Sequence, residues 1–185
     1  MKDISYLYNL LNDSKVSLFG FKYSDYIIKN EILSKINYID ITDYIHTNLS
    51  IKSILRDHKL DYILSGSDIY PISKFILLRS NDIYITEETD KNTVFNKRRI
   101  LDNILENICS EIRKTDYNLI IMSSIYISFN GFDDNVNFSG GRKQLYISDS
   151  VFSLYDNKIS IRKNRFGDNG SISLDGLNNY EYERI

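Results

Sequence analysis

The run Asn118-Leu119-Ile120-Ile121-Met122 constrains this chain more than any other segment. A strand with one wet face alternates apolar and polar residues; this one hardly does, so it reads as buried on both faces. Strands of that kind belong to parallel sheets covered by helices on both sides. The preceding segment agrees. From Thr93 to Lys114, Val94, Leu101, Ile104, Leu105, Ile108 and Ile112 fall on one helical stripe, and Lys97, Arg98, Asp102, Glu106 and Arg113 fall opposite.

The same alternation runs upstream. Lys2–Asn12 places Ile4, Leu7, Tyr8 and Leu11 at helical spacing. Lys15–Phe19 is an apolar strand that Gly20 is expected to end. Ser24 or Asp25 is expected to cap a helix whose apolar positions are Ile27, Ile28, Ile32 and Leu33. Asn37–Ile41 predicts a second strand and Ser50–Lys59 a short helix. Asp61–Leu64 and Lys74–Leu78 predict strands, separated by a loop that Ser65–Asp68 and Pro71 mark. Downstream, Ser128–Arg142 reads as a polar, glycine-containing loop. Gln144–Leu154, Lys158–Arg162 and Ser171–Leu174 then read as strands, with turns at Asp156-Asn157 and Gly167–Gly170. The expected organisation is one domain over residues 1–185: an N-terminal helix (1–13), a parallel α/β core (15–123) and C-terminal antiparallel strands (144–175).

Composition excludes several classes. A chain of 185 residues fits one domain with a real core. Lys plus Arg number 23 and Asp plus Glu 25, a net charge of −2, which argues against a generic polyanion binder and leaves room for a local basic patch. Hydrophobic residues make up 42% and are spread throughout, unlike a disordered chain. The single cysteine, Cys109, permits no disulfide framework and implies a reducing compartment, the cytoplasm. With only His46 and His58 beside it, no zinc set is expected. The longest uncharged apolar stretch, Leu119–Phe129, contains three serines and falls short of the ~20 residues of a membrane span. The segment Met1–Ser5 is not expected to open a secretory leader. Neither G-x-S-x-G nor H-E-x-x-H occurs. Cys109, adjacent to Ile108 in the helical stripe, reads as packing. Glu87-Glu88 and Asp133-Asp134 read as solvated loop acids.

Four short segments say more when taken in order. Tyr38-Ile39-Asp40 forms a "YID" strand. Arg98–Lys114 followed by Asn118–Ser123 is a long helix leading into a buried strand. Ser139-Gly140-Gly141-Arg142-Lys143 runs into Ser148-Asp149-Ser150-Val151. Lys163-Asn164-Arg165-Phe166-Gly167 makes a "KNRFG" turn before the last strand. Over most of residues 15–175 this succession resembles the RecA-type ATPase core shared by recombinases, KaiC-like proteins and hexameric replicative helicases. The resemblance implies a RecA-like, doubly wound, mostly parallel α/β sheet flanked by helices, with antiparallel C-terminal strands.

The ATPase chemistry of that family is altered here. A phosphate loop needs G-x-x-x-x-G-K-[ST], so that backbone N–H groups wrap the phosphates, Lys neutralises them and the hydroxyl holds Mg²⁺. This chain has Gly20-Phe21-Lys22-Tyr23-Ser24-Asp25, a degenerate loop in which Gly20, Lys22 and Ser24 are the remnants. The acid that polarises water is expected two residues after Asp40, where Thr42 stands. The metal-binding aspartate is expected after Phe75–Leu78, where Arg79 stands. A non-hydrolysing member is therefore expected, with no catalytic residue, no metal and no cofactor. What the resemblance leaves is a set of binding candidates. Arg142 and Lys143, with Phe132 and Phe138, would contact DNA phosphates and bases. The aromatic side chains, Phe129 included, have the alternative of anchoring their loop to the core. Lys163 and Arg165 would act in trans toward an active partner. Expected partners are an active RecA-family protein, single-stranded DNA or a second copy of this chain. The expected role is an accessory factor in DNA recombination, repair or replication. The alternatives are a protein-interaction module with no nucleic-acid role, and an enzyme with an unusual nucleotide site.

Overall fold

The computed structural model describes residues 2–42, 62–65, 68–71, 75–79, 91–129 and 134–174. The helix expected at Ser50–Lys59 lies outside the described residues, as do His46, His58, Glu87, Glu88, Phe132 and Asp133.

The chain begins with α1 (Ile4–Asp13), whose N-cap Asp3 accepts the Tyr6 N–H. Then come β1 (Val16–Phe21), a 3₁₀ turn (Tyr23–Asp25), α2 (Tyr26–Ser34) and β2 (Tyr38–Asp40). A hairpin of β3 (Tyr62–Ser65) and β4 (Asp68–Pro71) forms its own two-stranded sheet. The remainder is β5 (Phe75–Arg79), α3 (Lys91–Ile112), β6 (Asn118–Phe129), β7 (Asp134–Phe138), α4 (Lys143–Ile147), β8 (Ser150–Tyr155), β9 (Lys158–Asn164) and β10 (Gly170–Ile172).

The main sheet has eight strands in the order β10-β9-β8-β1-β6-β5-β2, with β7 joined to β6. Strands β8, β1, β6, β5 and β2 are mutually parallel; β9, β10 and β7 are antiparallel. The runs read as strands at Lys15–Phe19, Asn37–Ile41, Lys74–Leu78 and Asn118–Met122 thus contribute β1, β2, β5 and β6 to one parallel sheet, whereas the Asp61–Leu64 run falls in the separate β3–β4 hairpin. Alternate residues point to opposite faces, so each strand feeds two cores. On one face Val16, Leu18, Ile76, Leu78, Leu119 and Ile121 pack under α3 through Leu101, Leu105, Ile108 and Ile112. On the other, Phe19, Leu77, Ile120, Phe152 and Ile161 pack under Leu7, Leu10 and Leu11 of α1 and Ile32 and Leu33 of α2. Each fully buried side chain of this size contributes roughly 1.5–3 kcal/mol. Among the described residues, no helix is long and apolar enough to cross a membrane.

Five local expectations are corrected. Gly20 does not end the first strand: β1 continues to Phe21, and the glycine leaves room for a neighbour. Residues 68–71 are not loop but β4, with Pro71 at its last position, where a missing ladder N–H is tolerated. Nor is Ser128–Arg142 all loop. β6 runs on to Phe129 and pairs with β7, because Ile125 faces Phe138 and Ile127 faces Val136 across the ladder. Lys143–Ile147 is helix rather than strand, with Leu145 and Ile147 packed against the α3 core and the Ser148 hydroxyl donating to the Gln144 carbonyl. Ile27, expected on the apolar face of α2, is exposed. The Asp156-Asn157 turn is as expected, with both residues at positive φ (51° and 57°) between β8 and β9.

Candidate functional site

The first strand, β1, lies between β6 and β8, while the chain that leaves it passes to β2 at the far edge. The carboxyl end of such a strand is the place where open α/β sheets hold ligands. The Gly20–Ser24 segment sits there, and several backbone donors in and just after it are already bonded. The Lys22 N–H extends the ladder to the Leu154 carbonyl (3.0 Å), the Asp25 N–H donates to the Lys22 carbonyl (2.9 Å), and the Tyr26 N–H closes onto the Tyr23 carbonyl. A phosphate cradle needs such donors unpaired and convergent. Lys22 Nζ is 3.7 Å from Asp156 in an exposed pair worth little. The Ser24 hydroxyl donates to Asp25 (3.3 Å), and Asp25 is buried beneath the turn, accepting the Asn157 N–H (3.4 Å). Beneath the loop, a Cβ on Gly20 would stand 2.3 Å from Phe138 Cε1 and 2.5 Å from Ile125 Cγ2. Phe138 fills the space over the strand end.

The two positions at which the resemblance calls for acids close on each other. Asp40 Oδ1 accepts the Thr42 N–H (3.0 Å) and hydroxyl (2.6 Å), and Oδ2 meets Arg79 Nε at 3.1 Å. The Arg79 N–H donates to Thr42 Oγ1 (2.9 Å). Thr42 and Arg79 thus form one cycle with Asp40, the acid of β2. An arginine held on Asp40 opposes a divalent cation there.

Around the glycine pair, Gly140 and Gly141 take φ of 86° and 88°, a region L side chains avoid. Gly141 lies against the Arg98 guanidinium of α3; a Cβ would come within 2.4 Å of it. Ser123 and Gln144, both buried, hold the Ser139 carbonyl from below. Of the four DNA-contact candidates, Arg142 is exposed at the start of α4. Lys143 forms an ion pair with Glu106 of α3, and that hydrogen bond raises its pKa. Phe138 is buried and anchors β7 to the core, the second of the two roles open to it and not the stacking one. Phe132 lies outside the described residues.

At the opposite, amino edge of the parallel strands the KNRFG-like turn folds inward. A β-bulge between Val151 and Phe152 shifts the pairing of β8 with β9. Ile161 faces Phe152 on the α1/α2 side, but Lys163 then faces Val151 on the α3 side. Its ammonium reaches the end of α4 and donates to the carbonyls of Leu145 (2.9 Å), Tyr146 (3.3 Å) and Ser148 (2.6 Å), filling acceptors that a helix C-terminus leaves open. Burial first, then the charge of Arg165, pulls its pKa down. Arg165 Nη1 is 3.0 Å from Asp149 Oδ1. That same oxygen receives Arg113 Nη2 from the end of α3 (3.0 Å), and Oδ2 receives the Val16 N–H that opens β1 (3.1 Å). Asp149 is 4% exposed. Lys163 is therefore built into the fold, while Arg165 is paired with Asp149 and keeps about half of its side chain in solvent.

Sequence reasoning misses Asp149 as a hub, because its partners lie 16, 36 and 133 residues away and nothing local announces them. It also misses the aromatic surface at the carboxyl edge, where Tyr23, Tyr26 and Ile27 are exposed; the Tyr23/Tyr26 spacing of three was the available signal. Cys109 is buried in the α3 core, and burial pushes its thiol up to about 12, so it is held as the neutral thiol. Among the described residues no group of three His, Cys, Asp or Glu is placed to hold a metal. No protein-family model matches the sequence, and no curated protein is significantly similar to it.

Proposed function

We propose that this chain is a RecA-type protein that does not hydrolyse ATP and serves as an accessory factor in DNA recombination, repair or replication, working by binding. The observation that supports this most is the state of the three ATPase positions. In a parallel sheet with β1 at its centre, the Lys22 N–H is tied to β8, the Asp25 and Tyr26 N–H groups are tied into the 3₁₀ turn, and the two positions where the resemblance calls for acids hold the Thr42–Arg79 cycle on Asp40. Each substitution meets a complementary partner, which is how a non-catalytic site stays folded without a nucleotide. An active RecA-family protein, single-stranded DNA or a second copy of the chain are the partners this reading names. Calorimetry with ATP and Mg²⁺, and a phosphate-release assay, test it: no turnover and no tight complex are expected, and a micromolar ATP complex would overturn it.

A second reading is a protein-interaction module with no nucleic-acid role. It is favoured by how the basic candidates are used: Lys143 on Glu106, Lys163 on carbonyls and Arg165 on Asp149. Salt-dependent binding to a single-stranded oligonucleotide separates the two, since only phosphate contacts release counterions.

A further inference from the structure

The segment that leads from the glycine pair to Asp149 lies along one stripe of α3, and three contacts mark its course. Gly141 rests on the Arg98 guanidinium, Lys143 pairs with Glu106, and the Ile147 carbonyl accepts Arg113 Nη2 at 3.0 Å. α3 ends at Ile112, yet the Arg113 N–H still bonds the Cys109 carbonyl (3.0 Å), so Arg113 keeps the helical step. Glu106 to Cys109 is three residues and Cys109 to Arg113 is four, which puts these side chains on one face. Cys109 therefore lies between the two points at which α3 holds α4. Its surroundings agree: the charges that act on its thiol are those of Arg113, Asp149 and Glu106.

α4 does not hold itself there. Five residues are too few for a helix to be stable alone, and Arg142 at its N-cap supplies no side-chain hydrogen bond. Its place is set by ties to other elements. Leu145 and Ile147 are only partly buried against the core that contains Ile108, Cys109 and Ile112. Lys163 of β9 holds the carbonyls of Leu145, Tyr146 and Ser148. At the other end Gln144 Nε2 donates to the Ser139 carbonyl, while Gln144 Oε1 is buried and finds no donor among the described residues. A buried acceptor without a donor counts against the closed arrangement, and the cost is relieved when water reaches it. Gly140 and Gly141, both at positive φ, precede α4, and buried Asp149 fixes the chain just after it. Glycines absorb a backbone rotation at the least steric cost.

We propose that α4 is a hinged strap over α3. It bows outward between the glycine pair and Asp149, Lys163 and Arg113 latch its C-terminal end, and its opening uncovers the face of Glu106, Cys109 and Arg113. The opening is local, with α1, α2 and the sheet staying folded. The single thiol of the chain is covered in the closed state and reachable in the open one. A ligand that binds one state better than the other shifts the balance between them. The inference does not rest on the proposed function.

Labelling of Cys109 in the full chain with a maleimide tests it, at neutral pH and in urea well below the unfolding transition. Wild-type protein is expected to label slowly, at a rate that hardly changes with added urea, because a local opening exposes little new surface. A rate that climbs from the first addition of urea with the slope of global unfolding overturns the proposal. So does labelling as fast as in the unfolded chain. Lys163→Ala should label roughly tenfold faster, the factor expected when a charged hydrogen-bond donor is lost, with its unfolding slope unchanged. Lys158→Ala removes an exposed lysine at the other end of the same strand and should label like wild type. A wild-type rate in Lys163→Ala, or equal acceleration in Lys158→Ala, overturns the proposal. The urea dependence of the wild type decides by itself should the Lys163 variant fail to fold.

Discussion

The two edges of the parallel sheet treat their charged residues in opposite ways. At the amino edge, Arg113 from the end of α3 and Lys163 and Arg165 from the end of β9 converge on buried Asp149 and on the end of α4. At the carboxyl edge, charges settle with near neighbours in space, Asp40 with Arg79 and Lys22 with Asp156, and the aromatic residues stay outside. The first edge is a clamp that ties the end of α3, the start of β1 and the β9–β10 turn together. The second is a closed surface with rings on display. The difference teaches that a basic cluster in a sequence is no guide to a free basic surface. Where a buried carboxylate sits at the meeting point of several elements, basic side chains are drawn into the fold, because an unpaired buried charge costs more than the ordering of a long side chain.

Four experiments probe that contrast. The largest effect is expected from Asp149→Ala, which strips the Val16 N–H and two guanidinium groups of their shared acceptor. A loss of about 3 kcal/mol is expected from urea unfolding, and a loss below ~1 kcal/mol would reduce the clamp to a surface ion pair. Next is Gly20→Ala at the carboxyl edge. Its Cβ collides with Phe138 and Ile125, and about 2 kcal/mol of overpacking strain is expected. Combining it with Phe138→Leu should recover part of the loss in a double-mutant cycle, and simple additivity would show that Phe138 is not the obstacle.

Lys163→Ala should cost about 1–2 kcal/mol, because three carbonyls at the end of α4 lose their donor. That exceeds the ~0.5 kcal/mol of an ordinary surface substitution. Arg79→Ala, its counterpart at the other edge, involves a half-exposed pair and should stay below about 1 kcal/mol. If the two variants lose the same amount, the edges do not differ as described.

The smallest effect at neutral pH belongs to Cys109. Its thiol is raised from 9.0 to about 12 by burial, so the neutral form is the one folding favours. The resulting stability is fully present below the unfolded value of 9.0 and is lost as pH rises toward about 12. Cys109→Ala should therefore lose less stability than wild type across that window. In the native protein the thiol should react with an alkylating reagent only as fast as the core opens. Fast modification at pH 8 would place Cys109 outside the core.

The layout of the sheet is legible because it rests on local periodicity. Buried runs such as Ile76–Leu78 and Asn118–Met122 and the stripe of α3 show their period within a dozen residues, and the four parallel strands follow. The errors cluster where the period is short or interrupted. α4 has five residues, too few for a helical stripe to stand out from a strand that follows it. β7 sits in a polar stretch, and only its pairing to the far half of β6 makes it a strand.

Residue roles at the two edges follow another logic. That Thr42 and Arg79 stand where the resemblance calls for acids is visible in the sequence, as is the shortened loop after Gly20. That Arg79 folds back on Asp40, that Phe138 covers Gly20, and that a one-residue bulge turns Lys163 from one face of the sheet to the other are visible only in the fold. The sequence by itself determined the central alternation of strands and helices and the absence of acids at Thr42 and Arg79, because both depend on residue type and near-neighbour spacing. Tertiary structure alone decided which charged and aromatic side chains remain available to a partner. Availability depends on contacts between residues as far apart as Val16 and Asp149, and on which face of the sheet a side chain meets.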